Sequence, residues 1–368
     1  MLNAQSMYAL SIDQVVDLIT AVGSTRTVFV QGHMGSGKTS GIKRGLIERH
    51  PDHVYVEFDC TNKDIQDLSV PKYMAAVEGM VSDYCAFVPN EELGAHLGKK
   101  LIINFDEVLK APLPVQKGVR RIWLERMVNG IALPEGSIIY GTSNLGAEGL
   151  GDLLAAHQRN AIIVVQMRKS DNMEFIEWGI NNGIDARVLG WCKDNPQLFA
   201  SFEDVRDPEE NPWIHHPRAV GRAACVTGRS LEAASDILKI QPLIDEQTLT
   251  ATLMGTIGDR GAMDLMAFVK LADQLPSLES IKQDPQNAKV PDSASAVCMV
   301  VYRTLASLDK TWVDAWMDYM PRLDKEAQGM FANGVRAPKY SKQSMVMTNR
   351  KFTEWAMANN YMFAADKK

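Results

Sequence analysis

Residues 27–49 read TVFVQGHMGSGKTSGIKRGLIER. A short β-branched apolar run, TVFV at 27–30, leads into Gly32-His33-Met34-Gly35-Ser36-Gly37-Lys38-Thr39, and Ser40–Arg49 continues as a helix. The octapeptide fits GxxxxGK[ST] in the strand, glycine loop, helix order that its mechanism needs. Glycines let the backbone close around phosphate, with N–H groups pointing inward at a helix N-terminus. On this reading Gly32, His33, Met34, Gly35, Ser36, Gly37, Lys38, Thr39 and Ser40 form the phosphate cradle. Lys38 reaches the β- and γ-phosphates and Thr39 holds Mg2+.

Further apolar runs of strand length come later in the chain: VYVEF at 54–58, LIINF at 101–105, SIIYG at 137–141 and AIIVV at 161–165. Runs apolar on both faces suit strands covered on both sides, so the reading is a three-layer α/β domain with a five-stranded, mainly parallel sheet. The third run ends in Asp106 and Glu107, where the carboxyl ends of parallel strands converge on a ligand. Asp106 fits a water-mediated Mg2+ ligand. Glu107, next in sequence and pointing the other way, fits a general base acting on the attacking water. The fourth run ends Gly141-Thr142-Ser143-Asn144, which places Asn144 at the neighbouring tip either to position water or as the cap of an Asx turn.

After Met167 apolar residues recur at helical spacing. The expected domains are residues 1–168, a nucleotide-binding core; 169–228, a small helical domain; and 229–368, a further helical region of unassigned role. Residues 206–217, RDPEENPWIHHP, hold three prolines among charges and read as the best internal linker, carrying two solvated histidines, His215 and His216. Trp312, Trp316, Tyr319 and Trp355, with Met317, Met320 and Met330, recur at helical spacing and read as core, with partner docking as the alternative.

The chain has 368 residues with 46% hydrophobic and 23% charged, an ordinary globular balance. Lys plus Arg is 39 against 45 acidic residues, a net charge of −6, which disfavours a protein that coats phosphate backbone non-specifically. Five dispersed cysteines without a CxxC pair suggest neither disulfides nor a thiolate zinc site. No basic leader opens the chain, and no apolar run approaches the ~20 residues that span a bilayer, so the expectation is a cytoplasmic protein with no membrane contact.

The phosphate loop, NFDE at 104–107, TSN at 142–144, LLAAHQRN at 153–160 and Pro217-Arg218 together resemble the AAA+ ATPases, and more narrowly the MoxR-type branch with its phage-borne relatives. The resemblance covers residues 11 to about 227. It implies an AAA+ core, a helical lid and then a C-terminal helical extension, with ATP and Mg2+ as cofactors. It also implies a homo-oligomeric ring, usually hexameric. Arg159 stands where the family carries its arginine finger, and Arg218 looks like the second sensor; a helix-capping arginine and a salt-bridged helix arginine are the plainer alternatives. Where the family often has an acidic residue and Thr, this chain has Gln158 and His216.

The stretch 61–73 corresponds to a loop facing the ring centre, with Lys63, Lys72 and Tyr73 as substrate contacts or simply as surface residues. The stretch 128–136 looks like the hairpin before the first sensor. A MoxR-type protein further implies chaperone-like remodelling of a partner that bears a von Willebrand factor A domain, acting in trans. The basic residues Lys110, Lys117, Arg120, Arg121 and Arg126 are read as largely solvated, with one of them free to meet a neighbouring subunit's nucleotide. Two other readings stand beside this one: a nucleic-acid-stimulated motor, which the acidic balance disfavours, and a slow ATP-gated binding switch.

Overall fold

Five apolar runs become five strands of one parallel sheet: β1 Val28–Gly32, β2 Val54–Asp59, β3 Leu101–Asp106, β4 Ile138–Asn144 and β5 Ile163–Met167, in the order β2-β3-β4-β1-β5. These come from a computed structural model that describes residues 8–145, 162–219, 224–272, 275–338 and 340–360. The expected fold class, a five-stranded parallel α/β core followed by helices, is the one observed. The chain divides into two compact units, residues 1–170 and 171–368.

In the first unit, successive strand residues pack on opposite faces. Val28, Val30, Ile102 and Tyr140 face α1 (Ile12–Val22) and α2 (Lys38–Arg49). Phe29, Ile103, Phe105 and Ile139 join the core with α3 (Leu113–Glu125), through Val115, Val119 and Trp123. Helix α1 begins with a capping box: Ser11 Oγ accepts from Gln14 N–H at 3.3 Å, and Gln14 Oε1 accepts from Ser11 N–H at 2.9 Å. Just before it, Leu10 exchanges backbone hydrogen bonds with Gln166 and Arg168 at 2.8 and 2.9 Å, pinning this segment beside β5.

Two small hairpins lie outside the sheet. Residues 127–128 and 131–132 pair around Asn129-Gly130, overlapping the 128–136 stretch expected to hold a hairpin. The second, Ser69–Met74 with Tyr84–Pro89, is antiparallel and largely exposed. Reading 61–73 as a loop misses it, although SVPKYM and YCAFVP are strand-length runs flanking Gly79. Residues 61–68 form short 3-10 turns leading into it.

The second unit is helical: α4 Asn172–Asn181, α5 Ala186–Asp194, α6 Gly228–Lys239, α7 Glu246–Ala272, α8 Leu278–Gln283, α9 Ala294–Ser307, α10 Val313–Tyr319, α11 Lys325–Arg336, α12 Gln343–Met347 and α13 Arg350–Ala358. One apolar core runs from Phe175 to Phe352, so the boundary expected at residue 228 does not separate two cores. Helix α5 packs against α6, α7 and α9, which joins the 169–228 segment to the later helices. Helix α7 breaks at Gly258, whose φ of 80° a side chain tolerates poorly and whose Cβ would lie 2.7 Å from the Ala224 carbonyl oxygen.

Residues 206–217 lie inside this unit rather than between units. Ile214 and Asn211 are buried, and His216 is 6% exposed, its Nδ1 accepting from the Arg218 N–H at 3.1 Å. The expectation of a linker with two solvated histidines is therefore corrected: His216 stacks edge-on to Phe202 and His215 is half-buried. Trp312, Trp316, Met317, Tyr319 and Met320 are buried, and Met330 and Trp355 pack on the same core, as a core stripe should. None of the helices among the described residues is long and apolar enough to cross a membrane.

Trp316 is fully buried, its ring centroid 5.4 Å from Phe331 and 5.7 Å from Tyr319. Trp316→Ala is expected to cost about 3–5 kcal/mol. Trp316→Phe is expected to cost clearly less, because the indole N–H it removes has no partner. Chemical denaturation of the two variants checks the ranking.

Candidate functional site

The loop after β1 turns tightly. Ser36 Oγ donates to the His33 carbonyl oxygen at 2.7 Å, and Gly35 and Gly37 take φ values of 67° and 82°, which side chains other than glycine rarely adopt. Gly37 caps α2 without any side-chain hydrogen bond, so the first turn of the helix presents its N–H groups to the loop. A helix N-terminus carries partial positive charge, and here it follows a glycine loop, which is the donor set for an anion.

Lys38 is 6% exposed, and its ammonium donates to the carbonyl oxygens of Gly32 and His33 at 2.9 and 2.7 Å and to Asn144 Oδ1 at 2.8 Å. Asn144 in turn donates from Nδ2 to Glu107 Oε1 at 2.7 Å. Lysine only donates, which fixes the amide orientation: its oxygen must face Lys38, leaving the NH2 for the carboxyl of Glu107. Strand register brings these groups together, because Gly32 stands opposite Asn144 in the β1–β4 pair. β4 ends at Asn144, the strand end expected from the sequence.

Asp106 ends β3 with both oxygens engaged. Oδ2 accepts from Thr39 Oγ1 at 3.1 Å; Oδ1 accepts from the Glu107 N–H at 3.1 Å and from the Thr142 hydroxyl. Thr142 is fully buried, and in the sequence it stands out only as part of a strand end; parallel pairing of β3 with β4 sets its hydroxyl beside the acid. Two hard oxygen ligands, the Thr39 hydroxyl and the Asp106 carboxylate, thus lie side by side, the chemistry Mg2+ prefers.

Glu107 leaves the strand in a left-handed conformation, φ 52° and ψ 37°. This region is uncommon for a residue with a side chain and costs on the order of 1–2 kcal/mol. The strand alternation that would set Glu107 opposite to Asp106 ends here, and a single 3-10 turn, Val108–Lys110, comes next. Glu107 Oε2 is buried with no hydrogen-bond donor aimed at it, and Lys110 Nζ lies 3.2 Å away. Lys110 is one of the five basic residues noted in the sequence; an acidic partner three residues back is the signal available there.

The structure therefore gathers Lys38, Thr39, Asp106, Glu107 and Asn144, with the loop residues Gly32 to Gly37 around them; Ser40, exposed, begins the helix face beyond. Arg159 lies outside the described residues. Arg218 belongs to the second unit, where it is exposed. Among the other basic residues, Arg121 pairs with Glu125 at 2.9 Å, and Arg126 donates to the carbonyl oxygens of Gly23 and Ser137 at 2.6 Å each. Arg126 is thus a structural clamp rather than a solvated charge. Lys63 is also engaged, 2.6 Å from Glu92 Oε2, whereas Lys72 is exposed and Tyr73 is 71% exposed, its hydroxyl donating to Asp83.

No protein family matches the chain, and no curated protein matches it. Among solved structures, NtrX from Brucella abortus in complex with ADP aligns at 14% identity and a TM-score of 0.37, over 95% of this chain and 68% of that one. A putative ATPase from Cytophaga hutchinsonii aligns at 12% identity and a TM-score of 0.33, over 90% of each chain. At such scores the likenesses assign neither family nor activity, and the chemistry rests on the loop and the strand tips.

Thr142→Val keeps the side-chain shape and removes the hydroxyl that donates to Asp106. Denaturation should register a loss of about 1 kcal/mol, because a half-buried carboxylate oxygen loses one of its two donors and keeps the Glu107 N–H.

Proposed function

We propose that this protein is an ATP-hydrolysing AAA+ motor of MoxR type that assembles into a ring, usually of six copies, and remodels or activates a protein partner. The observation that supports it best is the hydrogen-bonded chain Lys38–Asn144–Glu107, one amide joining the phosphate-loop lysine to the carboxylate placed for base chemistry. The MoxR assignment, the ring and a partner with a von Willebrand factor A domain rest on the sequence resemblance alone.

In this reading the glycine loop and the N-terminus of α2 bind the phosphates. Lys38 exchanges its contact with Asn144 for a γ-phosphate oxygen, which frees the Asn144 amide to hold the attacking water. Thr39, directly, and Asp106, through water, would hold Mg2+, which neutralises charge on the β- and γ-phosphates. Glu107 accepts the proton of that water as its oxygen bonds to the γ-phosphorus and the bond to the β-phosphate oxygen breaks, releasing ADP and phosphate. Thr142 and the Glu107 N–H keep the Asp106 carboxylate fixed meanwhile. Arg159 is the candidate trans-acting finger and Arg218 the candidate lid sensor, each stabilising γ-phosphate charge.

Lys38→Ala should lose nucleotide binding, and Glu107→Gln should bind ATP yet turn it over at least about a hundredfold more slowly, since one loses phosphate contacts and the other only the base. Titration with a fluorescent nucleotide and phosphate release separate the two effects. A Glu107→Gln protein that hydrolyses normally removes Glu107 from this role. Light scattering of the same variant with Mg·ATP is expected to show six copies, and a lasting monomer would exclude the ring.

A further inference from the structure

On the sheet face that α1 and α2 cover, a row of polar side chains leads from Asp106 into the apolar core. Asn104, Thr142 and Tyr140 are fully buried, and Tyr55 is half-buried. Strand alternation puts Asn104 on the face of Asp106, and parallel register sets it opposite Tyr140 on one side and Glu57 on the other. The Tyr55 and Tyr140 hydroxyls meet at 2.9 Å, and the Asn104 amide lies beside Tyr55 without a directed hydrogen bond. Burial raises both phenols, so each keeps a proton to donate. Thr142 has one hydroxyl hydrogen and gives it to the Asp106 carboxylate, which can only accept. Asn104 Oδ1, 3.4 Å from Thr142 Oγ1, therefore faces an oxygen with no hydrogen left to offer, while Asn104 Nδ2 is buried with no acceptor among the described residues.

We propose that Asn104, Tyr55 and Tyr140 are positioning residues of the Mg2+ site, forming with Thr142 a directed relay that ends on Asp106; the inference rests on Asp106 holding Mg2+ through water. A half-turn of the Asn104 amide completes the relay. Nδ2 then donates to Thr142 Oγ1, and Oδ1 accepts from the Tyr55 hydroxyl, whose oxygen accepts from Tyr140. Every group in the row now donates toward the carboxylate, and the orphaned nitrogen gains its acceptor. Hydrogen bonds aligned in this way polarise one another where water is excluded, which keeps the Thr142 hydrogen on Asp106 and so fixes the direction of the carboxylate. The outer end of the row reaches α2, the helix that carries Thr39: Lys43 Nζ lies 4.8 Å from the centre of the Tyr55 ring and 3.1 Å from Glu57 Oε2.

The affinity of a fluorescent ADP, measured once with Mn2+ in place of Mg2+ and once in EDTA, gives a ratio that isolates what the metal contributes. Asn104→Leu is close in shape and cannot hydrogen-bond. It should lower the ratio about threefold, against about tenfold for a group bonded directly to a metal ligand, because Thr142 stands between. Tyr55→Phe, which loses one half-buried hydroxyl and keeps its ring, should lower the ratio less, and Tyr140→Phe, at the far end, least. ADP affinity in EDTA should stay at the wild-type value in all three, whereas a general loosening of the site would weaken it as well. An unchanged ratio in Asn104→Leu or in Tyr55→Phe, or a larger effect from Tyr140→Phe than from either, overturns the relay. If Asn104→Leu does not fold, the Tyr55→Phe ratio decides alone. Wild-type protein whose ADP affinity is the same with Mn2+ and in EDTA overturns the Mg2+ reading instead.

Discussion

The Asn144 side-chain amide ties the phosphate loop to the acidic strand tip, and the geometry of the site depends on it. Its oxygen faces an ammonium and its nitrogen faces a carboxyl, so only one orientation satisfies both neighbours. That arrangement exists because β1 and β4 pair in parallel with Gly32 opposite Asn144. The register is held in turn by packing: Val28 and Val30 enter one layer of the core and Phe29 the other. A slip by one residue would reverse those faces and carry Asn144 away from Lys38. Apolar patterning in the strands thereby fixes polar chemistry at their ends.

The same sheet order places the loop at its switch point. β1 lies between β4 and β5, and the chain leaves it toward β2 on one side after crossing two strands. Ligands in open parallel sheets gather at the carboxyl ends where the order reverses, and β1, β3 and β4 all deliver site residues to that edge. The second unit is organised differently. It has no sheet among its described residues and one continuous apolar core, in which Trp191, Trp316, Tyr319 and Phe331 are fully buried.

Much of the first unit is legible in the sequence because its signals are local. A glycine loop between strand and helix, and five runs apolar on both faces, carry their own reading. Asp106 and Asn144 are legible too, as strand-end residues. The features that escape depend on backbone angles or long-range packing. The left-handed turn at Glu107 obeys no pattern in FDEVLK, and the Glu107–Lys110 pair exists only because of that turn. The hairpin of residues 69–89 is hidden because its strands hold Pro71 and Pro89, which read as loop residues. The merging of residues 169–228 with the later helices is invisible because α5 finds its neighbours, α7 and α9, far along the chain.

That hairpin carries a hazard of its own. Among the described residues it pairs with no other strand, so both of its long sides are edges there, and Val70, Tyr73, Val81, Tyr84 and Phe87 stand exposed along it. Exposed, apolar, unpaired edges invite strands from other molecules and begin aggregates. Two prolines remove N–H donors from those edges, and Lys72 places a charge in the middle of one strand. The residues that disguise the hairpin as a loop are thus also its gatekeepers against fibrils.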